Sequence, residues 1–522
     1  MSGSLTIAAA RTPTGILDEG AALHPDRPLL VYEDVDGDVV TFSWAQFRDR
    51  LEAVATYLAA AGLERGRRLH VHTENRPEFL LAWFAAARLG ASIVPTNTGS
   101  SAHELAYVIE HAGAQMSLTE LAHAGVVETA RRRARSAGAL VLCETAELLA
   151  LPSAAPPEVV DPSPTEELAV LYTSGTTARP KGVRITNANY VYAGEVVAAG
   201  VRLTPADRVL TALPLFHANA QYYTTMGTLA SGGTIVLLPR FSASRFMEQA
   251  IRHRATVASL FAAPIRMLLA QKPRSDWRRH SLRAVLFAQN LGRADLERWE
   301  ARIGAPLVQL YGMTETIGPP LMNPVTGGAR PDSVGRVSLG YTCRVVRDDG
   351  ESAGIDEPGQ LLVGGEPGVS LMAGYLNDDD ASAAALEGGW LQTGDVVRVD
   401  AEGRFYFVDR RKDMVKRSGE NVAASEVEAA IAAHPAVAEV AVVGVPDPIR
   451  DEEIVAFVVL HGGETLTPAE LQAWCAQRLA NFRVPGVVEL RTILPLTPVG
   501  KIQKHLLRAE YLETNPQVEV VT

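Results

Sequence analysis

Thr173, Ser174, Thr176 and Thr177 set four hydroxyls around Gly175, and Pro180, Lys181 and Gly182 follow. A loop of this makeup can turn backbone N–H groups and hydroxyls toward an anion. Pro180 stiffens its exit, Lys181 adds a positive charge and Gly182 leaves room for close approach. The chemistry implied is the binding of a polyphosphate. The glycine spacing and the Gly-Lys-Ser/Thr ending of a P-loop are absent, so this is a phosphate loop of another kind. A polar surface turn is the ordinary explanation for such residues. Ser/Thr, Gly, Pro and Lys are too densely mixed here for it to hold.

Two further stretches carry suitable groups. Tyr311-Gly-Met-Thr-Glu-Thr316 follows the strand-like run Leu307-Val-Gln-Leu310. In open α/β sheets, ligands bind just beyond the carboxyl ends of strands. There Tyr311 suits stacking on a base, Thr314 a phosphate oxygen and Glu315 a Mg²⁺ ion. Alone, the stretch would pass for a turn with an exposed Glu; beside the phosphate loop it reads as part of a site. Thr393-Gly-Asp395 puts a carboxylate in a tight turn, which suits a bidentate grip on a ribose diol. Taken by itself, it is an ordinary Gly-Asp turn.

The elements that must position these groups are visible in the spacing. Leu29–Tyr32 and Asp38–Phe42 read as strands joined through Asp36-Gly37. Ser43 caps a helix whose apolar residues Phe47, Leu51, Val54 and Leu58 recur at helical spacing. Leu69–His72, Ser92–Pro95 and Met116–Leu118 are short strands separated by helical segments, the pattern of a parallel sheet covered by helices. Prolines 152, 156, 157, 162 and 164 mark a linker into the phosphate loop. Alternation resumes with strands Arg208–Leu213, Gly233–Leu238, Val257–Phe261, Ala284–Phe287 and Leu307–Leu310, giving two doubly wound sheets. From about Gly335 to Val408, short strands and glycine turns predict a small barrel or antiparallel layer. After the charge run Asp409–Asp413 comes a compact α+β unit. Its helix opens at Thr467, with Pro468 and Glu470 in a capping-box arrangement. The expected fold is α/β: a large N-terminal domain, 1–411, and a small mobile C-terminal domain, 412–522.

Composition narrows the function classes. The 522 residues are 47% hydrophobic and 21% charged, so a large core is affordable and disorder is not indicated. A net charge of -11 and the lack of a long basic run argue against a nucleic-acid binder. Arg131-Arg132-Arg133 reads as a solvated helix face. Cys143, Cys343 and Cys475 are too far apart for a disulfide framework or a Cys-x-x-Cys metal site, which fits a reducing, cytoplasmic location. The N-terminus lacks a signal-peptide pattern. The apolar window Phe79–Pro95 contains Arg88 and is too short for a bilayer span; a buried helix followed by a strand is expected.

Tyr172–Gly182, Tyr311–Thr316, Thr393-Gly-Asp395, Asp409-Arg410 and Pro498-Val-Gly-Lys501 occur in this order. Together they resemble the adenylate-forming superfamily of acyl-CoA synthetases, peptide-synthetase adenylation domains and beetle luciferases, over nearly the whole chain. Asp409–Val422 and Asp447–Glu452 are further similar to bacterial crotonobetaine/carnitine–CoA ligases. The resemblance implies roles. Thr173, Ser174, Gly175, Thr176, Thr177 and Lys181 form the phosphate loop. Tyr311 and Gly312 face adenine, Thr314 the α-phosphate and Glu315 the Mg²⁺. Asp395 and Arg410 hold the ribose, Lys412 is the hinge and Lys501 the catalytic lysine. Ser418 and Gly419 line the pantetheine tunnel. His217, Ala218, Asn219, Phe287 and Ala288 border the acyl group. Three departures stand out. Ala178 replaces a glycine of the phosphate loop, Phe287-Ala-Gln-Asn290 replaces a Gly-Ala-Ala-Pro type run, and Asp451 replaces a glycine of the small domain.

The implied activity is that of a carboxylic acid–CoA ligase using ATP, Mg²⁺ and coenzyme A through an acyl-adenylate. The acid would be a short trimethylammonium acid or a bulkier one, given the small Ala218, Ala220 and Gly227. Alternatives are a ligase loading a carrier-protein phosphopantetheine and a degenerate nucleotide-binding module. The absence of an acid between Leu213 and Tyr223 disfavours amino-acid adenylation.

Overall fold

A computed structural model describes residues 11–135, 138–144, 147–153, 162–173, 180–289, 291–327, 329–330, 332–410, 413–417, 420–447, 450–497 and 502–515. The chain forms two compact units, Met1–Cys343 with Val363–Gln392, and Arg344–Leu362 with Thr393–Thr522.

The first unit holds two sheets. The six-stranded one runs Leu140–Leu142, Met116–Thr119, Arg68–His72, Ser92–Pro95, Glu167–Thr173, Lys181–Thr186. Its pairings are parallel except the last, which is antiparallel. The order reverses at Arg68–His72, as in doubly wound folds. The nine-stranded sheet runs Arg336–Val337, Leu321–Met322, Leu307–Tyr311, Ala284–Ala288, Val257–Phe261, Arg208–Thr211, Thr234–Leu237, Pro28–Glu33, Val39–Ser43. Its middle strands are parallel, and its outer pairs are antiparallel.

Local chemistry explains the elements. Ser43 and Gln46 close a capping box on helix Trp44–Ala60, which buries Phe47, Leu51, Val54 and Leu58. Every residue of helix Pro77–Arg88 is buried, as a helix apolar on all sides requires. Period-two alternation sorts strand residues between faces. Ala258, Leu260, Val285 and Phe287 pack into the core around Phe246 and Trp299, leaving Ser259, Leu286 and Ala288 on the opposite face. On helix Ala124–Arg133 the expected solvated face holds for Arg132 and Arg133, which are exposed, but not for Arg131. Arg131 is buried and donates to the carbonyls of Gly138 and Ala139, so its charge caps a neighbouring turn.

The second unit contains a sheet in the order Glu420–Ala423, Met414–Arg417, Asp451–Leu460, Val437–Asp447, with Val487–Arg491 parallel to Asp451–Leu460. Ile454, Ala456 and Val458 face one apolar cluster with Leu471 and Cys475. Val455 and Phe457 face another with Leu507 and Tyr511. Thr467 and Glu470 form the expected capping box on helix Pro468–Ala476. Where a small barrel or antiparallel layer is expected, a four-stranded sheet runs Thr342–Val346, Gly359–Gly364, Trp390–Val399, Phe405–Arg410, its last two strands antiparallel. No helix among the described residues is long and apolar enough to cross a membrane.

Candidate active site

The phosphate-loop residues Ser174, Gly175, Thr176 and Thr177 lie outside the described residues; the frame that carries them does not. Thr173 pairs with Lys181 at the open end of an antiparallel strand pair. Helix Ala102–Ala112 braces that end. Tyr107 Oη donates to the Pro180 carbonyl at 3.1 Å, and His111 Nδ1 lies 2.7 Å from Tyr172 Oη. Burial, with Arg68 adding to it, lowers the His111 pKa. A side chain at Gly182 would come within 2.8 Å of Val170 Cγ1, which accounts for glycine there. Lys181 Nζ is 3.6 Å from Asp378 Oδ2 and 4.8 Å from the centre of the Tyr375 ring. One-third exposed, Lys181 gains only about 0–1 kcal/mol from such a pair, so a phosphate can compete for it.

Tyr375 continues the chain of contacts. Its Oη donates to Glu315 Oε1 at 3.0 Å, while the Met372 N–H donates to the Glu315 carbonyl at 3.0 Å. Burial foremost, then the Glu315 charge, raises the Tyr375 pKa and keeps the phenol a donor. Lys181, Tyr375 and Glu315 therefore form one connected group at the end of strand Leu307–Tyr311. The turn Thr314–Thr316 is shaped by three buried tyrosines. Tyr222 Oη donates to the Thr314 carbonyl at 3.3 Å. Tyr341 Oη donates to the Thr316 carbonyl at 2.7 Å and accepts the Gly318 N–H at 2.8 Å. Tyr223 Oη would stand 2.6 Å from any Cβ at Gly312, so that position admits no side chain. Ile317, fully buried, has φ 67° and ψ -62°, and the Gly318 N–H donates back to the Thr316 carbonyl at 2.8 Å. This is a γ-turn rarely tolerated by a β-branched residue, a strain of about 1–3 kcal/mol placed directly after the motif.

The segment leading to His217 is fixed by Asn75. Its Nδ2 donates to the carbonyls of Leu213 (2.9 Å) and Leu238 (3.0 Å), and its Oδ1 accepts the Leu215 N–H at 2.7 Å. Gln221 Nε2 donates to the Leu215 carbonyl at 2.6 Å, and Tyr190 Oη donates to Gln221 Oε1. The His217 ring lies 4.2 Å from that of Phe216. After Ala218 the chain winds into a π-helix, Asn219–Met226, a geometry that recurs at functional sites. Asn219 Oδ1 accepts from Ser259 Oγ at 2.8 Å. Phe287 and Ala288 are not brought together. Phe287 is fully buried in the helix-covered core, and Ala288 faces the other way.

In the second unit, Asp395 stands opposite Arg410 in adjacent strands, with Arg410 Nε 3.4 Å from Asp395 Oδ1. Thr393 Oγ1 accepts the Asp395 N–H at 3.1 Å and donates to the Leu361 carbonyl at 2.7 Å. Gly394, at φ 71°, lies between them inside strand Trp390–Val399, so the expected tight turn is instead a left-handed kink within a strand. Lys412, Ser418, Gly419 and Lys501 lie outside the described residues. The ends of the Lys501 segment are pinned. Leu496 and Ile502 form an antiparallel bridge, and Gln503 bonds the carbonyls of Pro495 and Leu496, each at 2.8 Å. Lys504 Nζ lies 2.8 Å from Glu428 Oε1, anchoring helix Lys504–Thr514. Burial resists the Lys504 charge, but Glu428 and Asp409 overcome it and raise its pKa.

Sequence reasoning missed Asn75, Gln221, Ser259, Tyr375 and Asp378. Only Gln221, within the His217 stretch, had a motif beside it to draw attention. Among the described residues no group of three or more His, Cys, Asp or Glu could hold a metal ion. A lone carboxylate such as Glu315 suits Mg²⁺ that arrives already bound to phosphates, since that ion commonly takes one or two protein carboxylates.

The family model for AMP-binding enzymes matches residues 17–376, and that for the AMP-binding enzyme C-terminal domain matches 426–501. The crotonobetaine/carnitine–CoA ligase of Salmonella paratyphi C is 35% identical over 520 residues, covering 94% of this chain and 98% of the relative. ATP-bound MatB from Rhodopseudomonas palustris superimposes with a TM-score of 0.85 at 27% identity, over 95% of this chain and 99% of that one. The o-succinylbenzoate CoA synthetase of Bacillus subtilis, in complex with its acyl-adenylate intermediate, gives 0.83 at 29% identity over 95% and 98%. With ATP and a magnesium ion it gives 0.82 at 30%, with the same coverage.

Proposed function

The chain belongs to the AMP-binding enzymes, and on that premise we propose that it is an ATP-dependent carboxylic acid–CoA ligase, an acid–thiol ligase acting through an acyl-adenylate. The observation that carries the reading is the connected group Lys181, Tyr375 and Glu315 at the end of strand Leu307–Tyr311. It offers one cation and one carboxylate on either side of a phenol. In the first step a substrate carboxylate oxygen attacks the α-phosphorus of ATP and pyrophosphate leaves. A carboxylate needs no deprotonation at neutral pH, so catalysis is positioning and charge stabilisation. Lys181 and the loop hydroxyls take the phosphates, Thr314 the α-phosphate, Tyr311 the base, and Asp395 with Arg410 the ribose. Glu315 would hold Mg²⁺ brought with the nucleotide, and that ion offsets charge on the phosphates. Lys501 neutralises charge shared by the carboxylate and the α-phosphate. In the second step the CoA thiol, passing Ser418 and Gly419, attacks the acyl carbon and AMP leaves.

The acid is accommodated by the segment His217–Asn219 and by Ala288. The carboxyl-terminal part after Lys412 changes its role between the steps, with Lys412 as hinge. The free cysteines Cys143, Cys343 and Cys475 fit a reducing, cytoplasmic setting. The test is Lys501→Ala. Adenylation, read as pyrophosphate release, should fall about 10²-fold, or about 3 kcal/mol of transition-state stabilisation. Thioester formation from pre-made acyl-adenylate should survive much better. Equal loss in both half-reactions would remove Lys501 from the first step.

A further inference from the structure

The π-helix opens on an asparagine whose two amide ends are treated differently. Asn219 is 9% exposed. Its Oδ1 accepts the Ser259 hydroxyl at 2.8 Å, and that bond orients the amide. Nδ2, with two N–H donors, has no hydrogen-bond partner among the described residues, and it is not sealed in the interior. A donor fixed within a largely buried side chain but still open to access is suited to an acceptor that comes from outside the protein. Ser259 is 1% exposed and lies on the strand face opposite the packed Ala258 and Leu260. Its paired neighbour on the next strand, Leu286, is apolar.

The segment that carries this donor has no fixed charge of its own; the carboxylate felt at the π-helix is Glu315, which acts on Tyr222. No Asp or Glu, and no Lys or Arg, lies between Leu213 and Met226. Tyr190 and Tyr222 pack edge to face on one another and are almost wholly buried. A quaternary ammonium group calls for a carboxylate or open aromatic faces. Phe216 and His217, half-buried just before the π-helix, keep some ring surface open, but the π-helix itself presents the positive end of an amide dipole, which repels such a cation and attracts an oxygen lone pair.

We propose that Asn219, oriented by Ser259, is a specificity-determining residue that selects carboxylic acids carrying an uncharged oxygen acceptor in the acyl part, such as a hydroxyl, carbonyl or ether, over trimethylammonium acids. The proposal rests on the acid–CoA ligase reading and on the acyl group lying against the π-helix. It separates this chain by substrate from the crotonobetaine/carnitine–CoA ligases that it resembles over 94% of its length. Ser259 acts through Asn219 and is a positioning residue.

The experiment measures pyrophosphate release and thioester formation with matched acids: oxo- or hydroxy-acids, their methylene isosteres, crotonobetaine and carnitine. The full-length wild type should favour the oxygen-bearing member of each pair by at least about tenfold in kcat/KM, since a site built to bond an oxygen rejects the analogue lacking it. Asn219→Leu should bring that ratio close to one. Ser259→Ala should reduce it partly, Ser259→Thr should restore it, and Asn219→Asp should raise relative activity on crotonobetaine. Thermal melting confirms that each variant is folded. Pyrophosphate release without discrimination, a preference that survives Asn219→Leu, or crotonobetaine or carnitine as the best wild-type substrate would overturn the proposal alone. Silence with every acid would instead overturn the ligase reading beneath it.

Discussion

Two clusters of buried polar side chains in the first unit end differently. On strand Arg68–His72, His70 Nδ1 lies 3.2 Å from Ser117 Oγ, and its Nε2 lies 2.8 Å from Thr96 Oγ1. His72 Nδ1 reaches the same Thr96 oxygen at 2.8 Å. His72 Nε2 has no hydrogen-bond partner among the described residues and is sealed from solvent. Asn219 also carries an unmatched nitrogen, but that one is open. The difference teaches how to weigh an unmatched polar atom. Where nothing can reach it, it is a cost to folding and a source of pH sensitivity. Where a ligand can reach it, it is a means of recognition.

Glu315 offers the sharpest way to break this contrast. A structural carboxylate would act on stability, whereas a ligand-holding one acts on turnover. Glu315→Gln keeps an acceptor for Tyr375, so thermal stability should barely change. Adenylation should fall about 10²-fold, or about 2.7 kcal/mol, and its dependence on Mg²⁺ concentration should shift. A fall in melting temperature with normal turnover would move Glu315 to the sealed class.

The sealed class should speak through pH. Burial, with a smaller effect of His123, pulls His72 down to about 4, and burial holds His70 well below its ordinary value. Both are neutral in the folded protein, while the unfolded chain takes up protons from about pH 6.5 downward. Their contribution is therefore intact above pH 6.5 and is lost as the pH falls toward 4. For His72 the loss by pH 5 is about 2 kcal/mol. Urea unfolding at pH 7 and pH 5 should show it, and His72→Gln should shrink the difference between the two by about that amount. An unchanged difference would mean that His72 is not held neutral by its surroundings.

The smallest effect tests the link between the two charged groups. Tyr375→Phe removes the donor to Glu315 and leaves the ring beside Lys181. Adenylation should fall about threefold to tenfold, corresponding to about 1 kcal/mol for a lost hydrogen bond. A loss as large as that of Glu315→Gln would make the phenol itself a ligand-binding group.

Much of this was legible in the sequence because it is local. Ser43 and Thr467 announce their helices from the residue just before each begins, and alternating strands and helices announce the parallel sheets. Phe287 shows a signal that was present but needed counting. The strand Ala284–Ala288 has period two, so Phe287 must face with Val285 and away from Ala288. Arg131 misleads because a basic run looks solvated, and only folding brings the carbonyls of Gly138 and Ala139 against it. Asn75, Ser259 and Tyr375 are silent in sequence. Each acts through a partner tens of residues or more away, and nothing in their immediate neighbours encodes that meeting.

The order of strands in the nine-stranded sheet has a consequence in time. Leu30 pairs with Ile235, which the ribosome adds roughly 200 residues later. At about 5–20 residues per second, the wait is about 10–40 s. During it the chain emits every strand of the other sheet, from Arg68 to Thr186. A segment that leaves the ribosome among the first thus waits for its parallel partner, and until then Leu29, Leu30 and Val31 lack the strand that later lies beside them.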